Sequence, residues 1–319
     1  MITIVQGGGY GSEAKGAIMA WLATGNNRDR RADWAVRTGA INAGHTFYHP
    51  DSHPANRHVM QQLPCAWHVP GVKLALGPGA YVHPPTLERE LDWIATHGGA
   101  PDVLIDRGAG IHLDSYTNEA RATGRSGLIG ATGKGCAEAV LHKIGDRNKP
   151  GTTSALYFDH PEAKPLMKAD VPLLLAQADD AGERVLLEGT QGSLLDLHLG
   201  PYPFTTNRQT TAAAWVAEAG LSPARNYEVV LVVRTFPIRV AGNSGPMPDE
   251  LNWTDLAREI NGKLLRASLP PLVPESSLAV WEACVEEVRQ ELGIPYRTPA
   301  EAAGAAQGDD NKFGVVLLE

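Results

Sequence analysis

The apolar run Ile2-Thr3-Ile4-Val5-Gln6 opens directly into Gly7-Gly8-Gly9-Tyr10-Gly11-Ser12-Glu13-Ala14-Lys15-Gly16. A strand that ends in glycines and a lysine presents backbone N–H groups and one ammonium at its carboxyl end, which is how α/β folds receive a nucleotide phosphate. The segment departs from the common G-x-x-x-x-G-K-[ST] pattern: Gly16 follows Lys15, so the hydroxyl that would hold magnesium after the lysine is missing. Taken alone, such glycines also suit a plain tight turn.

Further apolar runs at Val103–Ile105, Val185–Leu187 and Val229–Val233 join Ile2–Val5 as predicted strands covered on both faces. That pattern predicts an α/β fold with a mostly parallel central sheet flanked by helices. Pro84-Pro85 can open a helix carrying Leu87, Leu91 and Ile94 on one face, ending near His97-Gly98-Gly99. Thr210 or Thr211 can cap another helix, and Asn252 one carrying Leu256, Ile260 and Leu264. A last helix from Ser277 carries Trp281, Cys284, Val285, Val288 and Leu292 and stops at Gly293. Ala300–Asp310 reads as a loop and Gly314–Leu318 as a final strand. The 319 residues allow one large domain or two smaller ones.

The formal net charge is −8 with both signs interspersed, which argues against a surface that tracks a polynucleotide backbone. Local positive charge from Lys15, Lys134, Lys143 and Arg147 can still serve one small anion. Cys65, Cys136 and Cys284 are odd in number and widely spaced, so neither a disulfide framework nor a zinc site is expected. His49, His53 and His58 read as plain loop residues. No apolar stretch approaches the ~20 residues that span a bilayer, and no membrane association is expected. The N-terminus enters a strand rather than a signal peptide, so the expected compartment is the cytoplasm.

Three more segments follow in order: Thr38-Gly39-Ala40-Ile41-Asn42-Ala43-Gly44-His45-Thr46, Leu187-Glu188-Gly189-Thr190-Gln191-Gly192-Ser193-Leu194-Leu195-Asp196, and Tyr202-Pro203-Phe204-Thr205-Thr206. With the first loop they resemble the GDEGKGK, NAGHT, EGAQGTLLD and YPYVT segments of the adenylosuccinate synthetase family. The resemblance covers about residues 1 to 250 of a chain read as a single domain of that family, 1–319, with 251–319 a shortened, divergent part. It implies the family's P-loop-like nucleotide-binding fold and a carbon–nitrogen ligase. In that chemistry the γ-phosphoryl of a nucleoside triphosphate moves to a purine O6, and the amine of L-aspartate then displaces phosphate from C6. Clamped phosphates and a magnesium ion spread the charge.

Residue by residue, the resemblance implies that the triphosphate is held by the stretch Gly9, Tyr10, Gly11, Ser12, Glu13, Ala14, Lys15 and Gly16 together with Gly44, His45 and Thr46. Magnesium would meet Ser12 and Gly44. Lys15 would steady the transferred phosphoryl group, His45 would act as general acid beside O6, and Gln191 would contact the base. Asn42, Thr206 and the pair Ala131 and Thr132, in a Gly130-Ala131-Thr132-Gly133-Lys134-Gly135 turn similar to the family's GTTGRG, match positions around the nucleotide monophosphate. Val240, in a segment that follows TRVGAG, would contact the sugar. Arg147 lies near the position from which the family reaches into the neighbouring site of a homodimer.

Three departures refine the expectation. Ser12 stands where the family has the aspartate that takes the N1 proton, and this resembles a phage branch that acts on deoxyguanylate, dGMP, instead of inosinate, IMP. A serine hydroxyl is no base at neutral pH without a partner, but the shorter side chain leaves room for guanine's 2-amino group. The family's Thr-Thr-Gly aspartate-binding loop with its arginines has no counterpart; Arg258, Arg266, Arg289 and Arg297 are scattered. Asn311-Lys312-Phe313-Gly314 lacks the carboxylate of the family's guanine-reading Lys-x-Asp, which points to ATP or dATP as donor. An ordinary IMP-directed synthetase and a catalytically silent nucleotide-binding regulator are the alternatives.

Overall fold

A computed structural model describes residues 1–25, 30–48, 57–148, 155–163, 165–234, 239 and 244–245. All but the last two belong to one compact unit, Met1–Arg239, which is described by itself. Its strands are β1 (Ile2–Gly7), β2 (Trp34–Gly39), β3 (His45–Tyr48), β4 (Arg57–Met60), β5 (Lys73–Val82), β6 (Asp102–Asp106), β7 (Gly110–Ile111), β8 (Met167–Ala169), β9 (Val185–Glu188) and β10 (Tyr227–Val232). Its helices are α1 (Lys15–Ala23), α2 (Pro84–Thr96), α3 (Asp114–Ala122), α4 (Arg125–Ile129), α5 (Cys136–Gly145), α6 (Val171–Asp180) and α7 (Ala212–Glu218).

Strands run in the order β10-β1-β9-β2-β5-β6-β8, with β7 beside the end of β5, and every strand pairing of this sheet is parallel. Strands β3 and β4 form a separate antiparallel pair. Side chains alternate across the sheet, so Ile2 and Ile4 of β1 pack with Val36, Leu187, Leu175 and Trp215 on one face, while Val5 packs with Met19, Leu22, Leu74 and Leu76 on the other. Helices α1 and α2 lie with the second group; α6 and α7 lie with the first. Cover on both faces is why the strands carry unbroken apolar runs, each fully buried Leu, Ile or Val contributing about 1.5–3 kcal/mol. Strand β10 differs from that expectation. It ends the described strand order, and Val229, Leu231 and Val233 are exposed.

Strand β5 contains Gly77-Pro78-Gly79, which reads as a turn. The chain stays in the sheet because the register slips there, Arg37 facing Leu76 but Gly39 facing Ala80, and a bulge needs no N–H from the proline. Helix α2 begins on Pro84 as its sequence predicts; the His83 ring caps it by accepting from the Thr86 N–H at 3.3 Å. At α7 the structure selects Thr211 as the cap, its hydroxyl accepting from Ala214 N at 3.3 Å, while Thr210 is buried and donates to the Gly192 carbonyl. Thr211→Ala is expected to lower stability by about 1 kcal/mol, read as a shift of the urea midpoint. The elements expected around Asn252, Ser277, Ala300–Asp310 and Gly314–Leu318 lie outside the described residues. Among the described residues no helix is long and apolar enough to cross a membrane.

Candidate active site

Three neighbouring strands, β1, β9 and β2, deliver three of the sequence motifs to one place, because parallel strands put all their carboxyl ends on the same edge. The loop after β1 turns through Gly11 at φ 97°, where a side chain would be strained, and enters α1 through Ala14 at φ 66°. Ala14, not Ser12, is the residue before the helix, and it makes no side-chain capping bond. The first N–H groups of α1 therefore have no side-chain cap.

Lys15 is almost wholly buried, and its Nζ donates to Glu13 Oε2 at 2.9 Å and to the Gly11 carbonyl at 3.1 Å. Burial pushes the Lys15 ammonium below its ordinary pKa; the Glu13 carboxylate opposes that shift. Glu13 Oε1 accepts from the Gly11 N–H at 2.7 Å, so one carboxylate ties the loop backbone to the lysine. Ser12 is half-buried, and its carbonyl accepts from Arg234 at 2.9 Å. Tyr10 is buried, with the Arg239 guanidinium 4.7 Å from its ring centroid. Gly9 touches the β9 loop, where a Cβ on Gly192 would collide with the Gly9 carbonyl. That close approach demands glycine.

After β9, Gln191 is buried at φ 55°, and its Oε1 accepts from the Thr190 hydroxyl at 2.9 Å. Ala14 and Gln191 are the two non-glycine residues with left-handed backbone among the described residues, and both lie here. Such strain gathers at functional sites. Ser193 closes the loop, donating to the Gly7 carbonyl at 2.9 Å and accepting from Gln6 at 2.8 Å.

The loop after β2 carries half-buried Asn42, exposed Gly44, buried His45 and half-buried Thr46. Gly16 packs against His45: a Cβ on that glycine would lie 2.8 Å from the histidine Cβ and 3.1 Å from Cys65 Sγ. His45 Nδ1 bonds to Glu188 Oε1, at the very end of β9. Nε2 is buried and has no hydrogen-bond partner among the described residues. Glu188 Oε2 accepts from the Cys65 N–H at 2.7 Å, and Arg37 Nη1 stands 3.6 Å from Oε1. Arg37 itself braces the backbone, donating to the carbonyls of Ala43 at 2.6 Å and Met60 at 3.2 Å.

Burial, reinforced by Arg37, pushes His45 down to about 4 against the pull of Glu188. Burial alone would raise the Glu188 carboxyl, but His45 and Arg37, with the Cys65 N–H, hold it below the usual range. The pair is therefore a neutral imidazole against a carboxylate near neutral pH. Glu13, Glu188 and Arg37 carry no sign of this arrangement in their local sequence; Glu188 and His45 stand 143 positions apart. The only available signal was that Glu13 and Glu188 lie inside the quoted motifs.

The remaining predicted residues fall into a second group. The Gly130–Gly135 turn is left-handed at all three of its glycines and leads into α5. Ala131 is half-buried and Thr132 exposed. The Cys136 carbonyl accepts from Asn207 at 3.1 Å, and the Asn42 backbone meets the Cys136 thiol, which joins this turn to the other loops. Thr206 is held by its N–H on the Leu195 carbonyl at 2.8 Å. Arg147 is exposed, its Nε donating to the Ile144 carbonyl at 2.8 Å. Lys143 does not offer its charge to an anion, since its Nζ is spent on the carbonyls of Gly108 at 2.6 Å and Pro78 at 3.1 Å. Val240 lies outside the described residues, as do His49 and His53, while His58 stacks on Trp93 at 4.3 Å between centroids.

A family model for adenylosuccinate synthetase matches residues 4–152 and 155–268. The chain belongs to the adenylosuccinate synthetase family. Adenylosuccinate synthetases of Pyrococcus sp. (strain ST700) and Methanocaldococcus jannaschii are 33% and 31% identical to it, over 80% and 78% of this chain and 71% and 68% of theirs. Among solved structures, a succinoaminodeoxyadenylate synthetase (PurZ) from cyanophage S-2L, bound to dGMP and to dATP as an energy donor, is similar with a TM-score of 0.63 at 28% identity, over 78% of this chain and 70% of that one. The fully ligated adenylosuccinate synthetase of Plasmodium falciparum shares the fold, with a TM-score of 0.64 at 20% identity over 82% and 67%. Membership makes the protein a carbon–nitrogen ligase of the adenylosuccinate synthetase type, one that joins aspartate to a purine nucleotide.

Magnesium needs oxygen ligands and keeps several waters and substrate phosphates. Both nearby carboxylates are committed, Glu13 to Lys15 and the Gly11 N–H, Glu188 to His45, Arg37 and the Cys65 N–H. The Ser12 hydroxyl and the Gly44 carbonyl remain as neutral oxygens of the right chemical kind. The donor set fits an ion held chiefly by the nucleotide's own phosphates. His45, Cys65 and Glu188 also bring ligating atoms within 4.8 Å of one another, but the Arg37 charge beside Glu188 opposes a second cation there.

Proposed function

We propose that this family member joins L-aspartate to C6 of dGMP through a 6-phosphoryl intermediate, with ATP or dATP as phosphoryl donor, giving N6-succino-2-amino-2′-deoxyadenylate. The reading is carried by one observation: Ser12 occupies the loop position at which the family's aspartate would approach purine N1. A carboxylate there suits inosinate, whose C2 bears only hydrogen. A hydroxyl is smaller and can both donate and accept, which suits the 2-amino group of guanine. The likeness to the cyanophage enzyme bound to dGMP and dATP supports the same reading.

In this mechanism the N–H groups of residues 9 to 16 and the Lys15 ammonium take the triphosphate, the ammonium exchanging part of its Glu13 contact for phosphate oxygens. Magnesium, met by Ser12 and Gly44, would spread the charge of the β- and γ-phosphates. Gln191 contacts the base with its amide, and His45 Nε2 serves the O6 and phosphoryl side: bare in the nucleotide-free protein, it takes up a proton as the bound phosphates bring negative charge beside it, and that proton offsets charge developing on oxygen. Asn42, Ala131, Thr132 and Thr206 bind the monophosphate and Val240 the sugar, with Arg147 reaching the neighbouring site of a homodimer. On this reading the chain is one synthetase-like domain working in the cytoplasm.

The test gives the purified protein L-aspartate, magnesium and ATP or dATP, with dGMP or IMP in separate reactions, and follows phosphate release. Release that depends on both aspartate and dGMP is expected. Faster turnover of IMP would make it an ordinary adenylosuccinate synthetase, and no release with either would leave a nucleotide-binding regulator. Ser12→Asp is expected to lower activity on dGMP more than on IMP. Equal losses on the two substrates would remove Ser12 from substrate selection.

A further inference from the structure

We infer that Glu188 is the positioning residue for His45: its carboxylate fixes the imidazole in the Nδ1–H tautomer and in one ring orientation, leaving Nε2 as the nitrogen that serves the reacting oxygen. The inference rests on the ligase reading and deepens it by adding a residue that touches neither nucleotide nor aspartate.

A carboxylate accepts hydrogen bonds and donates none, so the proton between His45 Nδ1 and Glu188 Oε1 resides on the histidine. Glu188 is not free to turn away. Its other oxygen holds the Cys65 N–H at 2.7 Å, and Arg37 stands 3.6 Å from the first oxygen. Arg37 is in turn anchored on the Ala43 and Met60 carbonyls, on either side of the histidine in sequence. The ring has no slack of its own, since Gly16 meets the His45 Cβ and the imidazole is buried. With Nδ1 taken, Nε2 is the one ring atom left for chemistry, and it has no partner among the described residues. A carboxylate behind an imidazole is also how hydrolase triads hold the ring and steady its protonated form, where the corresponding carboxylate-to-amide change costs about 10⁴ in kcat.

Glutamine is the informative replacement. Its side chain keeps the shape but turns one oxygen into an NH2 group, which must face either Cys65 N–H or His45 Nδ1. Facing Cys65 it sets donor against donor. Facing His45 it donates to Nδ1 and drives the proton to Nε2, the opposite tautomer.

Long-range 15N–1H correlation of the histidine rings reads this directly and needs no turnover. The His45 signals are assigned by their loss in His45→Gln. The wild-type protein is expected to show His45 protonated at Nδ1 with a bare Nε2, and Glu188→Gln to lose that pattern. A proton on Nε2 in the nucleotide-free wild type, or an unchanged pattern in nucleotide-free Glu188→Gln, overturns the inference whatever the substrate proves to be. Kinetics supply the second readout: Glu188→Gln is expected to lower kcat by about 10²-fold or more while leaving the KM for the nucleotide monophosphate within about threefold, and Glu188→Asp to recover part of the loss. An unaltered kcat in a folded Glu188→Gln also overturns it. A wild-type protein that turns over neither dGMP nor IMP defeats the ligase reading instead, and the tautomer spectrum still decides the role of Glu188.

Discussion

Lys15→Ala is expected to slow turnover by at least two decades, the scale of losing one preorganised charge from a transferring phosphoryl group. The ammonium lies inside the loop after β1, shielded from water, where each charge interaction counts for more than at the surface. Removing it also strands Glu13, whose carboxylate is buried and pairs with Lys15 at 2.9 Å, at a cost of about 3–5 kcal/mol. Part of any loss could therefore come from unfolding, and a second variant separates the two. The double change Lys15→Ala with Glu13→Ala removes both charges and should recover thermal stability without recovering turnover. Near-normal kcat in a folded Lys15→Ala would strip the lysine of its proposed role.

His45→Ala is the second large effect, again at least two decades in kcat, the size typical of a positioned acid or base. The loss is expected in kcat rather than in nucleotide affinity, because in the proposed mechanism the ring contributes one nitrogen to the reacting oxygen while the loop N–H groups and Lys15 hold the phosphates. Truncation also removes the Nδ1–H that Glu188 accepts, leaving that carboxylate with Arg37 and the Cys65 N–H. His45→Gln retains a side chain that can donate to Glu188, so it should melt closer to the wild type while remaining as slow. A His45→Ala protein whose kcat stays within threefold of the wild type would remove His45 from the chemistry.

Much of the sheet was legible because its central strands are covered on both faces. Such strands need continuous apolar residues, and β1, β6 and β9 carry them in runs too short for a helix. Strand β2 was missed since Arg37 interrupts its apolar run, and nothing local shows that this guanidinium is satisfied by backbone carbonyls. Strand β5 was missed because Gly77-Pro78-Gly79 has the composition of a turn, and only the register slip against β2 makes it part of a sheet. Strand β10 read as covered on both faces, yet it stands at the end of the described strand order, a property of topology that a single run does not encode.

The site divides in the same way. Backbone requirements are local, so glycines, the lysine and the motif spacings announce an anion cradle before any fold is known. The chain's ordered motifs alone were enough to assign the family and its ligase chemistry. That Glu13 holds Lys15, that Glu188 holds His45 and that Lys143 is spent on carbonyls came from the folded chain. Those pairings depend on which strands lie side by side, and whether a buried charge is matched or stranded is settled by neighbours brought from far along the chain.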